Sequence, residues 1–168
     1  MEVLSVYDNF GNLTNKTVVR GSKIALSHDE HIAVAVIFIE NTDGKFLIQK
    51  TSLEKGNEFS TTGGHVLSGE TPVEAIIRET KEEIGLLLDK SEINYLGYMI
   101  YDVPIRFIFY IKKDIDINKL VVQKEEVEYV TYMSKNEILK IIEHGEITKS
   151  HGILFKEAMK LIENKKDS

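Results

Sequence analysis

The sequence contains no cysteine among its 168 residues, and this absence limits the chemistry open to the protein. Without a thiol there can be no disulfide framework, zinc–thiolate site, cysteine nucleophile or iron–sulfur cluster. A lack of disulfides is also typical of a reducing compartment, so we expect a cytoplasmic location. The chain is long enough to bury a core without covalent links.

Long apolar runs and linker-like segments are missing as well. The longest apolar run extends from Ile32 to Ile39, far short of the ~20 residues that a membrane-spanning helix needs. The N-terminus shows neither the basic nor the apolar region of a signal peptide. The chain has only two prolines and no repeat. We therefore treat residues 1–168 as a single domain, at roughly 150 residues per domain, with no membrane partner.

Positive charge is scarce, with 21 Lys+Arg against 27 Asp+Glu and a formal net charge of −6. Arginine occurs only at Arg20, Arg78 and Arg106. A general nucleic-acid binder would need a basic surface, so we expect no DNA partner. If the substrate is an anion, positive charge must be brought in from elsewhere.

Several segments have the composition of β-strands, namely residues 3–7, 16–20, 31–40, 45–50, 93–101, 105–113 and 127–133. Turn residues at positions 8–12 predict an N-terminal β-hairpin within residues 1–28. The nearly continuous apolar run at 31–40 indicates a central strand covered on both faces. Thr51 to Ser60 is polar and is predicted to be a loop.

Helix-start signals mark the remaining regular elements. Thr71-Pro72-Val73-Glu74 is a capping box with proline at the first helical position, and Gly85 suits the C-terminal end, which predicts a helix between them. Within residues 134–168, a second capping box opens a helix to about His144, and a last helix is predicted from about His151 to Asn164. Strands flanked by helices without strict alternation predict an α/β (α+β) fold with a mixed sheet.

Three glutamates on the first predicted helix lie on one face. Glu79 and Glu83 are four residues apart and Glu82 lies between them, so their carboxylates converge opposite the apolar stripe. A solvated acidic surface is the ordinary explanation for such a cluster. Here one of only three arginines, Arg78, stands beside it, and carboxylate oxygens are the ligands that Mg²⁺ prefers. A divalent-cation site is therefore the functional hypothesis.

The segment from Gly64 to Leu86 has a specific order of residues: Gly64, five residues, Glu70, seven residues, Arg78-Glu79, two residues, Glu82-Glu83, one residue, Gly85 and an apolar residue. This order matches the Nudix box at every fixed position, and the chain resembles the Nudix hydrolases over roughly residues 30–140. One flexible position departs, because Thr80 replaces the usual apolar residue. Its methyl group can still face the core.

The resemblance implies a fold and an activity. The fold is a Nudix-type α/β/α sandwich with a mixed central sheet, plus the N-terminal β-hairpin and the C-terminal helices. The activity is Mg²⁺-dependent hydrolysis, with Mn²⁺ as a substitute, of a nucleoside diphosphate linked to another group, by attack of water on phosphorus. An alternative is a catalytically weak module that senses nucleotides or ADP-ribose. A homodimer is carried over by analogy only, and the substrate-binding residues stay unassigned.

The resemblance also implies roles for the acidic residues of the box. Glu79 and Glu83 are the main metal ligands, and Glu82 is either a third ligand or the general base. Gly64 offers its carbonyl group to the metal or is simply a turn glycine. We expect the glutamates and the glycine to lie together around one site.

Three further residues are expected to support this site. Arg78 orients the carboxylates through ion pairs. Glu70 acts through a metal-bound water or through Arg78. Glu126, just before the last predicted strand, is an additional acid that serves as a ligand or a base, with a solvated surface charge as the alternative.

A second likeness, to the Nudix subgroup close to isopentenyl-diphosphate isomerases, rests on Tyr7-Asp8, Gly11-Asn12, Thr17, Arg20-Gly21, His31 and Gln49-Lys50. The isomerases need a catalytic cysteine, so the missing cysteine excludes that activity. Thr51 stands where the subgroup commonly has an arginine, which leaves Lys50 or Lys55 to contact phosphate. We expect His31 and His65 to be structural or edge residues.

Overall fold

The computed structural model describes residues 1–23 and 26–166, which form nine β-strands and three α-helices. The strands are β1 (Val3–Tyr7), β2 (Leu13–Val19), β3 (His31–Glu40), β4 (Lys45–Thr51), β5 (Phe59–Ser60), β6 (Thr62–His65), β7 (Asn94–Ile100), β8 (Ile105–Lys112) and β9 (Val127–Ser134). The helices are α1 (Pro72–Ile84), α2 (Lys135–Glu143) and α3 (Lys149–Lys166). Ile24 and Ala25 of the predicted N-terminal extension, and Asp167 and Ser168, lie outside the described residues.

Strand β3 is the centre of a mixed sheet. It pairs in parallel with β8 and antiparallel with β1, β4 and β6. Strand β7 extends the sheet beyond β8, and β9 extends it beyond β4. The prediction of a mixed sheet with 31–40 as its central strand is confirmed.

Helices cover both faces of this sheet. Ile37 and Ile39 point into one core, which α1 closes with Ile76 and Ile84. Residues of β3 that alternate with these, such as Phe38, point into a second core, closed by α2 and α3. Because β3 is buried on both faces, its apolar run has no polar alternation. The predicted α/β/α sandwich is confirmed.

The N-terminal hairpin forms as predicted, but its second strand begins earlier. The Asp8 carboxylate accepts hydrogen bonds from the backbone N–H groups of Phe10 and Asn12, at 2.8 and 3.0 Å. These bonds complete the turn by residue 12, so β2 begins at Leu13 rather than at residue 16. The hairpin has a small core of its own, formed by Leu4, Val6 and Val18.

The prediction of a loop from Thr51 to Ser60 is wrong at its end. Phe59 and Ser60 form β5, which pairs with β4, and Phe59 also bridges to Ile147 before α3. The bridge to Ile147 joins residues almost ninety positions apart, so local sequence does not reveal it. Helix α3 likewise extends two residues beyond its predicted range at each end.

Helix α1 has the ends that its sequence predicts. Thr71 accepts a hydrogen bond from the Glu74 backbone, the Glu74 side chain accepts one from Thr71, and Gly85 ends the helix with φ 70°. Thr80 is fully buried, and its hydroxyl donates to the carbonyl oxygen of Ile76 at 2.6 Å. The departure from the box pattern at Thr80 therefore leaves no polar group unsatisfied. In residues 1–23 and 26–166, no helix has both the length and the apolar character to cross a membrane.

Candidate active site

The acidic face of α1 packs against strand β6, which carries the Gly63-Gly64 pair. A Cβ atom added at Gly64 would overlap the carboxylate of Glu79. A Cβ atom added at Gly63 would lie 2.5 Å from the carbonyl oxygen of Ala35 on β3. Both glycines are therefore required by close approach, Gly63 to the neighbouring strand and Gly64 to a candidate ligand.

Arg78 organises the site through its guanidinium group. Its Nε and Nη2 atoms donate to the two carboxylate oxygens of Glu70, at 2.9 and 2.8 Å. Its Nη1 atom donates to Glu79 at 2.9 Å and to Glu82 at 3.3 Å, and Nη2 also reaches the His65 carbonyl oxygen at 3.0 Å. This geometry fits the predicted role of Arg78 as an orienting residue, and it places Glu70 behind Arg78.

Glu83 lies deepest of the three box glutamates. Its Oε1 atom accepts a hydrogen bond from the backbone N–H of Gly63 at 3.2 Å. Burial and the neighbouring charge of Glu79 raise the pKa of Glu83 to about 8. Burial also raises the pKa of Glu79, although the charge of Arg78 opposes this. Two half-buried carboxylates therefore lie close together, and the nearby positive charge does not offset their burial and mutual repulsion.

The donor set fits a hard divalent cation. It consists of carboxylate oxygens beside backbone carbonyl groups, the ligands of Mg²⁺ rather than of zinc or copper. Within the described part of the chain, no three carboxylate or imidazole groups already converge as a closed metal site. Arg78 holds oxygens of Glu79 and Glu82 in ion pairs. A cation would compete with Arg78 for these oxygens and relieve the repulsion at Glu83.

A polar cavity of about 270 Å³ opens beside this cluster. It is lined by Glu2, Arg20, Lys55, Gly63, Gly64, His65, Glu79, Glu82, Glu83, Gln123 and Glu126. The structure thus brings the box glutamates, Gly64 and the later acid Glu126 to one place. Glu70 does not line the cavity and connects to it through Arg78.

Two loops form the far wall of the cavity. The Lys55 ammonium group lies 3.5 Å from the Glu126 carboxylate, and Ser52 hydrogen-bonds to the backbone of residues 125 and 126. The backbone N–H of Gln123 donates to the carbonyl oxygen of Glu83 at 2.8 Å. The charge of Glu126 contributes to the raised pKa of Glu83. Glu126 therefore faces the same cavity as the box glutamates.

The two histidines expected to be structural or edge residues differ from each other. His31 is buried and bonds to the carbonyl oxygen of Val103 at 2.8 Å and to Asn9 at 2.7 Å, as a structural residue would. His65 lies at the edge of the site and lines the cavity, which leaves the expectation of a structural or edge residue a prediction. It directly follows Gly63-Gly64 on β6, and these three residues border the cavity.

Two cavity residues come from the hairpin and were missed by sequence reasoning. Arg20 follows β2 and forms an ion pair with Glu2 at 2.7 Å. Both are distant from the box in sequence, and only the packing of the hairpin beside β6, seen in the Leu4–Leu67 bridge, places them at the cavity. The signal in the sequence that could have pointed to Arg20 is that the chain has only three arginines.

Comparison with known proteins gives the same picture. The NUDIX domain profile matches residues 29–152. A Nudix hydrolase of unknown role from Listeria innocua is 32% identical over 150 residues, covering 87% of this chain and 88% of that protein. The crystal structure of a Deinococcus radiodurans protein superposes with a TM-score of 0.75 at 19% identity, covering 92% of this chain and 98% of the other.

The chain therefore belongs to the Nudix family. It is a hydrolase that acts on phosphoric anhydride bonds, in a family that uses divalent metal ions. An isopentenyl-diphosphate isomerase from Corynebacterium diphtheriae is 30% identical over 94 residues, covering 54% of this chain and 50% of the isomerase. That partial likeness agrees with the subgroup expected from the sequence.

Proposed function

We propose that this protein hydrolyses a nucleoside diphosphate linked to another group, in a reaction that depends on Mg²⁺ and accepts Mn²⁺. The observation that carries the proposal is the pair of half-buried carboxylates of Glu79 and Glu83, which line one polar cavity beside Gly64; within the described residues only Glu79 of the two has an ion-pair partner, Arg78. A diphosphate would be repelled by this pair alone. With a cation between them, the same pair becomes a binding site for the diphosphate.

In this proposal, Glu79 and Glu83 hold the cation, and Gly64 offers a backbone carbonyl group. Bound Mg²⁺ supplies Lewis acidity, which polarises phosphoryl oxygens and lowers the pKa of a bound water. Arg78 keeps the Glu79 carboxylate in place and is itself held by Glu70. Water attacks one phosphorus of the diphosphate and forms a new P–O bond while the bridging P–O bond breaks; a general base takes the proton of the water, and the group that carries the other phosphate leaves.

Glu82 and Glu126 are the candidates for a further ligand or for the general base. Glu82 is the most exposed of the box glutamates, at 53% of its side chain, and water therefore reaches it readily. Glu126 faces the same cavity from the opposite wall. A Glu82→Gln variant separates the roles, because a lost ligand is rescued by more metal whereas a lost base changes the pH profile.

The proposal is tested with a panel of diphosphate compounds assayed with Mg²⁺, with Mn²⁺ and without metal. Reaction in ¹⁸O-labelled water shows which phosphorus is attacked. We expect metal-dependent hydrolysis of at least one nucleoside diphosphate derivative, with ¹⁸O in one product. Tight binding of such compounds without hydrolysis under either metal would instead support the sensing alternative.

We also propose that the enzyme is cytoplasmic and forms a homodimer. In this proposal it has no DNA or membrane partner. The net charge of −6 supports the absence of a DNA partner. Light scattering coupled to size exclusion tests the assembly. A mass near 19.1 kDa would mean that the chain is a monomer, against the proposal.

A further inference from the structure

Arg106 is a buried arginine without an acidic partner. It lies on β8 and is 8% exposed. Its Nε atom donates to the carbonyl oxygen of Tyr101 at 3.4 Å, and its guanidinium group lies 5.6 Å from the centre of the Tyr101 ring. Within residues 1–23 and 26–166, no carboxylate forms an ion pair with it. Buried arginines are normally paired, so this one is unusual.

The terminal nitrogens of Arg106 have no protein partner in the described residues, yet they are not sealed in the core. In that part of the chain, every fully buried side-chain nitrogen has a hydrogen-bond partner. The unbonded Nη1 and Nη2 atoms must therefore reach a surface through a narrow opening. Burial lowers the pKa of Arg106, with the charge of Asp102 opposing, so holding this cation here costs free energy.

The sheet register connects Arg106 to the catalytic cavity. Val34 of β3 is paired with Arg106 on one side and with His65 on the other. Paired residues on adjacent strands point to the same face, so Arg106 and His65 lie on the face covered by α3, about 10 Å apart at two strand spacings. His65 lines the cavity. Arg106 thus stands on the same row of the sheet as a cavity residue.

Two histidines lie on elements next to Arg106, and the carboxylate whose charge acts on it is that of Asp102. His65 lies on the same row of the sheet as Arg106, and the charge of Arg106 also acts on His151 at the start of α3. Three elements, β6, β8 and α3, therefore direct nitrogen-bearing side chains to one region. The carboxylates stand on the other side of β6, toward α1.

We propose that Arg106 binds a phosphoryl group of the substrate and contributes to the choice of substrate. This inference rests on the proposed function, because it assigns the phosphoryl group to the diphosphate compound being hydrolysed. The guanidinium fork matches phosphate oxygens with two N–H donors, which here are the unbonded Nη1 and Nη2. The phosphoryl group is either part of the scissile diphosphate or an additional phosphate on the attached group.

The direct test observes the Arg106 side chain during titration of the protein with inorganic pyrophosphate and Mg²⁺. Because the chain has only three arginines, its Nε–H signals in a ¹H–¹⁵N NMR spectrum are few, and an Arg106→Lys variant identifies the relevant one. We expect a saturable shift of this signal. No shift of the Arg106 signal at saturating pyrophosphate overturns the proposal. This readout needs no turnover, so it is independent of whether the chain hydrolyses a diphosphate.

Kinetics with a matched pair of substrates identify the source of the phosphoryl group. NADH and NADPH each contain a diphosphate and differ by one additional phosphate. We expect Arg106→Gln to raise KM about tenfold or more with a small change in kcat, and Arg106→Lys to recover part of the loss. An equal effect on both substrates assigns the scissile diphosphate, and an effect on NADPH alone assigns the additional phosphate.

A control variant and a stability measurement exclude a merely structural role. Lys113→Gln removes a cation that pairs with Glu92 beyond the far end of β8, and we expect it to leave KM unchanged. If Arg106→Gln lowers the melting temperature and kcat but leaves KM for both substrates within twofold of wild type, Arg106 only supports the Tyr101 turn, and the proposal is wrong. If no diphosphate compound is hydrolysed by the wild type, the proposed function fails, and the pyrophosphate titration alone decides the role of Arg106.

Discussion

The guanidinium group of Arg78 holds the carboxylate of Glu70 through two hydrogen bonds, Nε to Oε2 at 2.9 Å and Nη2 to Oε1 at 2.8 Å. Glu70 precedes α1, and its Oε1 atom also accepts from the backbone N–H of Leu67 at 2.9 Å. The loop before the helix is thereby fixed to the arginine that orients Glu79. Glu70 is thus connected to Glu79 through Arg78 and does not line the cavity.

Replacing Glu70 with Gln is expected to lower turnover about 10- to 100-fold, as loss of groups that orient metal ligands does. The neutral amide keeps the shape but cannot hold both guanidinium nitrogens with charged acceptors. The decisive measurement is the Mg²⁺ dependence of the rate, because a displaced Glu79 should raise the concentration needed for half-maximal activity. A variant with wild-type rate and metal dependence would show that the Arg78–Glu70 pair has no positioning role.

The two adjacent glycines of β6 give a matched pair of variants. In Gly64→Ala the new methyl group displaces the mobile end of the Glu79 side chain, so we expect activity to fall about 10- to 100-fold while stability changes little. In Gly63→Ala the methyl group meets the backbone of Ala35, which cannot move aside, so we expect a loss of ~1–3 kcal/mol of stability. Urea denaturation and initial rates separate the effects. Equal loss of stability in both variants would contradict this interpretation.

His151 gives the fold a predictable pH dependence. Its Nδ1 atom accepts hydrogen bonds from the backbone N–H and the hydroxyl group of Thr61, both at 2.9 Å, so the folded state favours the neutral ring. Burial, with a contribution from the charge of Arg106, lowers its pKa to about 4 from the ordinary 6.5. The unfolded chain therefore binds the extra proton more readily. The stabilisation is complete above pH 6.5 and is lost as the pH falls toward 4.

We expect the wild type to lose about 2 kcal/mol more stability between pH 7 and pH 4.5 than a His151→Asn variant does. Asparagine can present an oxygen acceptor to Thr61 but does not titrate. Urea unfolding at the two pH values measures the difference, with His144→Asn at the exposed end of α2 as the control. If the His151→Asn and His144→Asn variants show the same pH dependence, His151 is not responsible.

Sequence reasoning was sufficient wherever the determining interactions are local. The capping box at Thr71, proline at the next position and Gly85 fixed the ends of α1 because these residues satisfy the helix's own backbone groups. The helical period then placed Glu79, Glu82 and Glu83 on one face. Strand β3, which is buried on both faces, could be predicted equally well, because its apolar residues do not alternate with polar ones.

Contacts between distant segments were not predictable in this way. Strand β5 exists because Phe59 meets both β4 and the segment before α3, and two residues carry no periodicity of their own. Arg20 and His65 reach the cavity through the packing of the hairpin and of β6. In the sequence, Arg106 is one polar residue in a mostly apolar strand. Only the structure, which gives its neighbours across the sheet, shows that no acidic residue pairs with it in the described part of the chain.

The central claim is that the carboxylate pair Glu79–Glu83 holds the cation needed for diphosphate hydrolysis. It is tested most directly by the Mg²⁺-dependent turnover of Glu83→Gln, beside Glu143→Gln on the exposed end of α2 as a control for loss of one negative charge. Glu83→Gln removes a ligand charge and no packing, so we predict a turnover at least ~10²-fold below wild type, an unchanged fold by circular dichroism and no loss in the control. Wild-type Mg²⁺-dependent turnover in Glu83→Gln would contradict the claim.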